Sequence, residues 1–130
     1  MDYFENYSNK FDIIFSFGVL QYFNSKQLEN LFELQRNFLS ENGKICHFGI
    51  PVKEHRHLFC AGQGVQQTRE FKPRNKISHL KSRFSNKIGN WHKLSDLLQI
   101  SNKAKFETNV YGGVNYLYRV NLIQKTFNNE

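Results

Sequence analysis

His55 and His57, one residue apart, and Cys60 just beyond them form the densest group in this 130-residue chain able to move protons or hold a metal. A structural zinc site takes four well-spaced ligands, and no fourth donor stands at a suitable distance along the chain, so no metal is expected. Imidazole exchanges protons near neutral pH, which leaves both histidines as candidates for contact with a substrate. His47 lies inside an apolar run and reads as a packed core histidine, whereas His79 and His92 read as surface or loop residues. A second group of candidates ends the run FDIIFSFGVLQYF, residues 11–23. Ser16 and Gly18 interrupt its apolar character, and Gln21 and Tyr22 follow directly.

The elements that would position these groups are legible from periodicity. Phe11, Ile13, Ile14, Phe15 and Phe17 are nearly continuous apolar residues, the pattern of a parallel strand covered on both faces. After it, Leu28, Leu31, Phe32, Phe38 and Leu39 recur at helical spacing while Glu29, Glu33 and Arg36 look outward. Asn24 with Gln27 has the form of a capping box, and Asn42-Gly43 is the expected helix stop. KICHFGIP, residues 44–51, reads as a second buried strand, making a strand–helix–strand unit. Trp91, Leu94, Leu97 and Leu98 mark a later amphipathic helix. Residues 105–125 then form two strands about a tight Gly112-Gly113 turn, with Tyr116, Tyr118, Val120 and Leu122 on one face and Leu117, Arg119, Asn121 and Ile123 on the other.

Between these parts lies a long connection, residues 52–90, polar, basic and aromatic, which reads as an insert or a substrate lid. Within it, Arg69, Lys72, Arg74, Lys76, Lys81, Arg83 and Lys87 stand against Glu70 alone, while the whole chain carries a formal charge of +7. The basic character therefore belongs to one segment and the remainder is nearly neutral. Segment 69–87, with Phe71, Phe84 and Trp91 interleaved or adjacent, suits an anionic partner, either an acceptor under a lid or a nucleic acid. No stretch approaches the roughly 20 apolar residues of a membrane span, and residues 1–10 lack a secretory h-region. Two cysteines, Cys46 and Cys60, form no disulfide framework, and a cytoplasmic protein is expected.

Phe11-Asp12-Ile13-Ile14 with Val19-Leu20, then Phe38-Leu39 with Gly43-Lys44-Ile45, then a closing hairpin, resemble the second half of a class I S-adenosylmethionine-dependent methyltransferase. That resemblance implies an α/β, Rossmann-like but incomplete domain over residues 1–130: strands four and five parallel with an intervening helix, then strands six and seven as an antiparallel hairpin. It implies S-adenosylmethionine as cofactor, with Ser16, Phe17, Gly18 and Val19 forming a wall of its cleft. It places Gln21, Tyr22, His55 and His57 toward a methyl acceptor, a hydroxyl or amine of a small molecule or glycan, and it assigns no catalytic residue.

The family's glycine-rich cofactor loop is absent. Gly62-Gln63-Gly64 follows no buried strand and opens no apolar helix, so it does not replace that loop. The resemblance therefore implies that activity needs an N-terminal half. Truncation is the leading expectation, ahead of a separate N-terminal polypeptide or a relic with another role. Residues 11–17 would then form an open apolar edge, expected to self-associate. The competing function is a non-catalytic module binding nucleic acid through residues 69–87.

Overall fold

The computed structural model describes residues 10–61, 88–113 and 116–127. Gly62-Gln63-Gly64, His79 and the basic segment 69–87 lie outside the described residues. Four strands form one mixed sheet: β1 (Phe11–Phe17), β2 (Leu39–Pro51), β3 (Phe106–Gly112) and β4 (Arg119–Thr126). Their spatial order is β1-β2-β4-β3, with β1 and β2 parallel and β4 antiparallel to both of its neighbours. Among the described residues the helices are α1 (Ser25–Phe38), α2 (Arg56–Ala61) and α3 (Leu94–Lys103), and short 3-10 turns cover Leu20–Tyr22 and Lys53–His55.

The sequence places α1 through its cap. Asn24 Oδ1 accepts from the Gln27 amide at 2.9 Å while Gln27 Oε1 accepts from the Asn24 amide at 2.8 Å, so two otherwise orphaned donors are satisfied reciprocally. Leu28 and Phe32 are fully buried one turn apart, each contributing about 1.5–3 kcal/mol of apolar burial.

The far end of α1 differs from the sequence reading. The helix stops at Phe38, and Leu39 is already extended, so Asn42-Gly43 lies inside β2 rather than ending a helix. The β1–β2 register jumps from Phe11↔Leu39 to Ile13↔Lys44, so the extra β2 residues fold out of the ladder. Gly43 is needed there for space: a Cβ would meet Leu39 Cδ1 at 2.7 Å and the Phe11 carbonyl oxygen at 2.9 Å.

One face of the sheet is covered. Ile45, His47, Leu122 and Gln124 share that face by register and are fully buried. Phe32 of α1 stacks on His47 with ring centroids 5.4 Å apart, and Gln124 Nε2 donates to Ser101 Oγ of α3 at 2.6 Å. Leu97, Ile100, Phe106 and Val120 complete the core, and Glu29 of α1 pairs with Lys103 of α3 at 3.1 Å. Trp91 precedes α3 instead of lying in it, and Leu98 faces outward.

The opposite face is bare at β1. Ile13, Phe15 and Phe17 are 65%, 74% and 70% exposed, and β1 is an edge strand. Among the described residues the expectation of cover on both faces does not hold, because α1 and α3 both pack on the face of Ile14, Ile45 and Leu122. The hairpin differs too. Gly112 pairs with Val120 inside the ladder, and the connection extends to Arg119, so Gly112-Gly113 is not a two-residue turn.

Candidate functional site

The carboxyl ends of the parallel strands β1 and β2 lie side by side, where open α/β sheets present ligands. Gly18, directly after β1, has φ +64 and donates its amide to the Phe48 carbonyl at 2.8 Å. Between His47↔Leu122 and Ile50↔Val120 the β2–β4 register slips, and Gly49 occupies the slip with φ +72, a left-handed bulge that glycine adopts without a Cβ penalty. The bulge turns the Gly49 amide onto Asn121 Oδ1 at 3.0 Å, and its carbonyl accepts from Arg119 Nη1. A Cβ on Gly18 would lie 3.8 Å from Gln21 Nε2 and 4.0 Å from Arg119 Nη1. Gln21 and the Arg119 guanidinium therefore converge on the two strand tips.

Beside this junction is a hollow of about 280 Å³ walled by Phe17, Phe48 and Tyr116, with Arg119 and Asn121 as its polar side chains. The guanidinium carbon sits 5.6 Å from the Tyr116 ring centroid and 5.4 Å from that of Tyr118. Tyr118 belongs to a ring cluster with Phe59 at 5.2 Å and Trp91 at 5.7 Å. Arg119 and Asn121 were legible only as one face of a strand, and nothing in the sequence singled them out. The available signal was two polar residues at alternate positions in an apolar strand pattern, the first of them six residues after a glycine pair.

The structure distributes the residues singled out from sequence over several settings. Phe17 lines the hollow, and Gly18 and Val19 follow it at the β1 tip, Val19 being 40% exposed. Ser16 points to the covered face, where its Oγ lies 2.7 Å from His47 Nδ1. His47 Nε2 meets Gln35 Oε1 at 3.1 Å, which assigns the proton to Nε2 and makes Ser16 the donor to Nδ1. Burial lowers the His47 pKa to about 4, and the core-histidine reading holds. Gln21 is buried, and its Oε1 has no hydrogen-bond partner. Tyr22 is 71% exposed.

His55 is half-buried in the 3-10 turn after β2, with Nδ1 sheltered and unpartnered; His57 is exposed and donates from Nδ1 to the Glu54 carbonyl at 3.1 Å. Neither lines the hollow. His92 is not a surface residue. It is buried, forms a bridge with Val52, and donates from Nε2 to the Leu20 carbonyl at 2.9 Å. Desolvation lowers its pKa, opposed in part by that bond. Together with Asn90, whose amide donates to the Gln21 carbonyl at 2.7 Å, His92 ties the chain entering α3 to the turn after β1.

Cys60 lies in α2 rather than in a loop, and Cys46 and Cys60 are not joined by a disulfide. Among the described residues no group of three or more His, Cys, Asp or Glu stands together as a metal site, and no helix is long and apolar enough to cross a membrane. Nothing in the described residues bears on the nucleic-acid alternative, since its basic segment lies outside them.

No family model and no curated protein matches the sequence. Solved structures do match the fold. A magnesium protoporphyrin IX methyltransferase (ChlM) from Synechocystis PCC 6803 with bound SAH is 10% identical with a TM-score of 0.60, over 94% of this chain and 48% of that one. LepI in complex with SAM is 10% identical with a TM-score of 0.58, over 92% of this chain and 27% of that one. An O-methyltransferase family protein from Burkholderia thailandensis is 10% identical with a TM-score of 0.58, over 95% of this chain and 32% of that one. The chain thus spans half or less of the length of each. Its mixed α/β sheet of four strands, with its helices, has the fold of a part of these three proteins, two of which are named methyltransferases and two of which hold SAH or SAM.

Proposed function

We propose that this chain forms the carboxyl-terminal part of an S-adenosylmethionine-dependent methyltransferase that methylates a hydroxyl or amine of a small-molecule or glycan acceptor. The observation that carries the reading is the strand order β1-β2-β4-β3, with β4 antiparallel between a parallel strand and its own hairpin partner. In this reading β1, β2, β3 and β4 are the fourth to seventh strands of the family sheet. Two named neighbours hold SAH or SAM, which supports the same cofactor here.

The residues present fit one wall of such a cleft. Gly18 allows close backbone approach at the β1 tip, and the buried, unpartnered Gln21 Oε1 beside it is an acceptor without a donor. Phe17, Gly18 and Val19 would face the cofactor, Ser16 contributing through its backbone because its hydroxyl is held by His47. Bound there, S-adenosylmethionine would supply an already activated methyl group, leaving the chain's own residues to align the acceptor. Gln21 would orient the acceptor's hydroxyl or amine, Tyr22 would pack on it, and His55 and His57 would approach from the turn after β2.

The bare β1 face supports the need for an N-terminal half. Ile13 and Phe15 form a contiguous apolar surface on an edge that is unpaired among the described residues, which a neighbouring strand and covering helices would bury. Without that half, self-association through the same edge is the alternative way to cover it.

The test is titration of S-adenosylhomocysteine into the chain alone and into the chain joined to the segment encoded directly upstream, followed by amide NMR. Saturable binding in the joined form, with shifts at Gly18, Val19 and Gln21, is the expected result. A folded joined form that ignores the ligand, or shifts confined to residues remote from the β1 tip, would overturn the reading.

A further inference from the structure

We propose that the hollow walled by Phe17, Phe48 and Tyr116 is a ligand seat beside the acceptor contacts assigned above, and that it takes a small aromatic acid whose anionic group is bound by Arg119. That the hollow binds an aromatic anion rests on its geometry alone.

Size comes first. The hollow measures about 280 Å³, larger than the roughly 150 Å³ that encloses a benzene, so it suits one substituted ring rather than a chain of sugars. Its walls select for the ring. Phe17 and Phe48 are register partners on the same face, and Tyr116 lies on the hairpin side, so a planar guest meets aromatic surface from two elements.

Charge selects for the acid. Arg119 is the sole cation lining the hollow, and no carboxylate lines it or pairs with the guanidinium among the described residues. One terminal nitrogen, Nη1, is held by the Gly49 carbonyl, and Nε is sheltered from water without an acceptor. A guanidinium partly withdrawn from water and lacking a counter-anion is costly. A carboxylate in the hollow would relieve that cost through charge-assisted hydrogen bonds, which are stronger than neutral ones. The Gly49 bulge matters because its carbonyl fixes the guanidinium in place before any ligand arrives. Position completes the argument. Arg119 Nη1 lies 4.0 Å from where a Cβ on Gly18 would stand, so a ligand held here neighbours the wall assigned to the cofactor.

Benzoate and its uncharged isostere benzamide, titrated separately into the full chain, test the proposal, with the Arg119 Nε–H resonance and the Gly49 and Asn121 amides as readouts. Benzoate should bind saturably and move all three signals, with benzamide at least tenfold weaker. Arg119→Met should weaken benzoate at least tenfold with unchanged circular dichroism, and Arg119→Lys should recover part of the loss. Equal binding of the two ligands, absence of benzoate binding, or full affinity in a folded Arg119→Met chain would overturn the proposal. Should Arg119→Met fail to fold, the comparison of benzoate with benzamide on the unmodified chain still decides. No step uses S-adenosylhomocysteine, so failure here leaves the methyltransferase reading standing, and success does not depend on it.

Discussion

Ser16 Oγ on the edge strand lies 2.7 Å from His47 Nδ1 on the neighbouring buried strand, and His47 in turn reaches Gln35 of α1. Three elements are thereby joined by one neutral imidazole under the ring of Phe32. No charged side chain is bonded to it, so its protonation has nothing to offset the loss of hydration.

Acid should therefore loosen the fold before carboxylates protonate in bulk. His47 titrates near 4 in the folded chain, against 6.5 for a solvated imidazole, because burial disfavours its charged form. Between those values the unfolded chain binds the extra proton, so stability is full above pH 6.5 and falls as pH drops toward 4. The loss from this one group reaches roughly 3 kcal/mol. His92, also lowered by burial, adds in the same direction. Urea unfolding at pH 7 and pH 4.5 measures the difference, and His47→Gln should flatten the slope. An unchanged midpoint in the unmodified chain would refute it.

The Gly49 bulge should resist any side chain. At φ +72 an L-residue carries a left-handed penalty of roughly 1–2 kcal/mol, although a Cβ would meet Phe17 Cζ and Arg119 Nη1 only at 3.5 Å. Gly49→Ala is expected to lower stability by about that amount in denaturant titration. It should also shift the Arg119 side-chain NMR signal, because the carbonyl holding Nη1 moves with the backbone.

Lys105 presents the reverse case. It closes α3 at φ +64 with its amide bonded to the Asn102 carbonyl at 2.9 Å, a position glycine fills in many helices. Lys105→Gly should raise stability by about 0.5–1 kcal/mol, after allowing for the greater freedom of glycine in the unfolded chain. Thermal unfolding of the two chains side by side would show it as a higher midpoint.

Phe15 is 74% exposed at the centre of the bare β1 face. Phe15→Glu should leave intrinsic stability within about 0.5 kcal/mol, as surface changes do, while suppressing self-association. Sedimentation velocity at several concentrations distinguishes the outcomes. A variant that associates as strongly as the parent would show that another surface is responsible.

What could be read from residues alone was whatever depends on neighbours a few positions away. The Asn24–Gln27 capping box, the apolar stripe of Leu28 and Phe32, and the alternation of Tyr118, Val120 and Leu122 all follow from local geometry and appear in the fold. The edge position of β1 was expected from the resemblance as well, and among the described residues β1 pairs with β2 alone.

Other features needed contacts across the sheet. The early end of α1 at Phe38 leaves Gly43 inside β2, fitted against Leu39 and the Phe11 backbone, a contact that no window of sequence contains. His92 became a buried tie to Leu20, 72 residues away along the chain. Arg119 gained its importance from a bulge at Gly49 on another strand, 70 residues earlier. Periodicity records which way a side chain faces relative to its own strand; the partner it meets there is decided by register, and register is a property of two segments at once. The sequence by itself determined the order of the main strands and helices and the inward stripes of α1 and β4, while the tertiary structure decided where α1 ends, which face of β1 is covered, and which carbonyl, ring or hollow each functional group would meet.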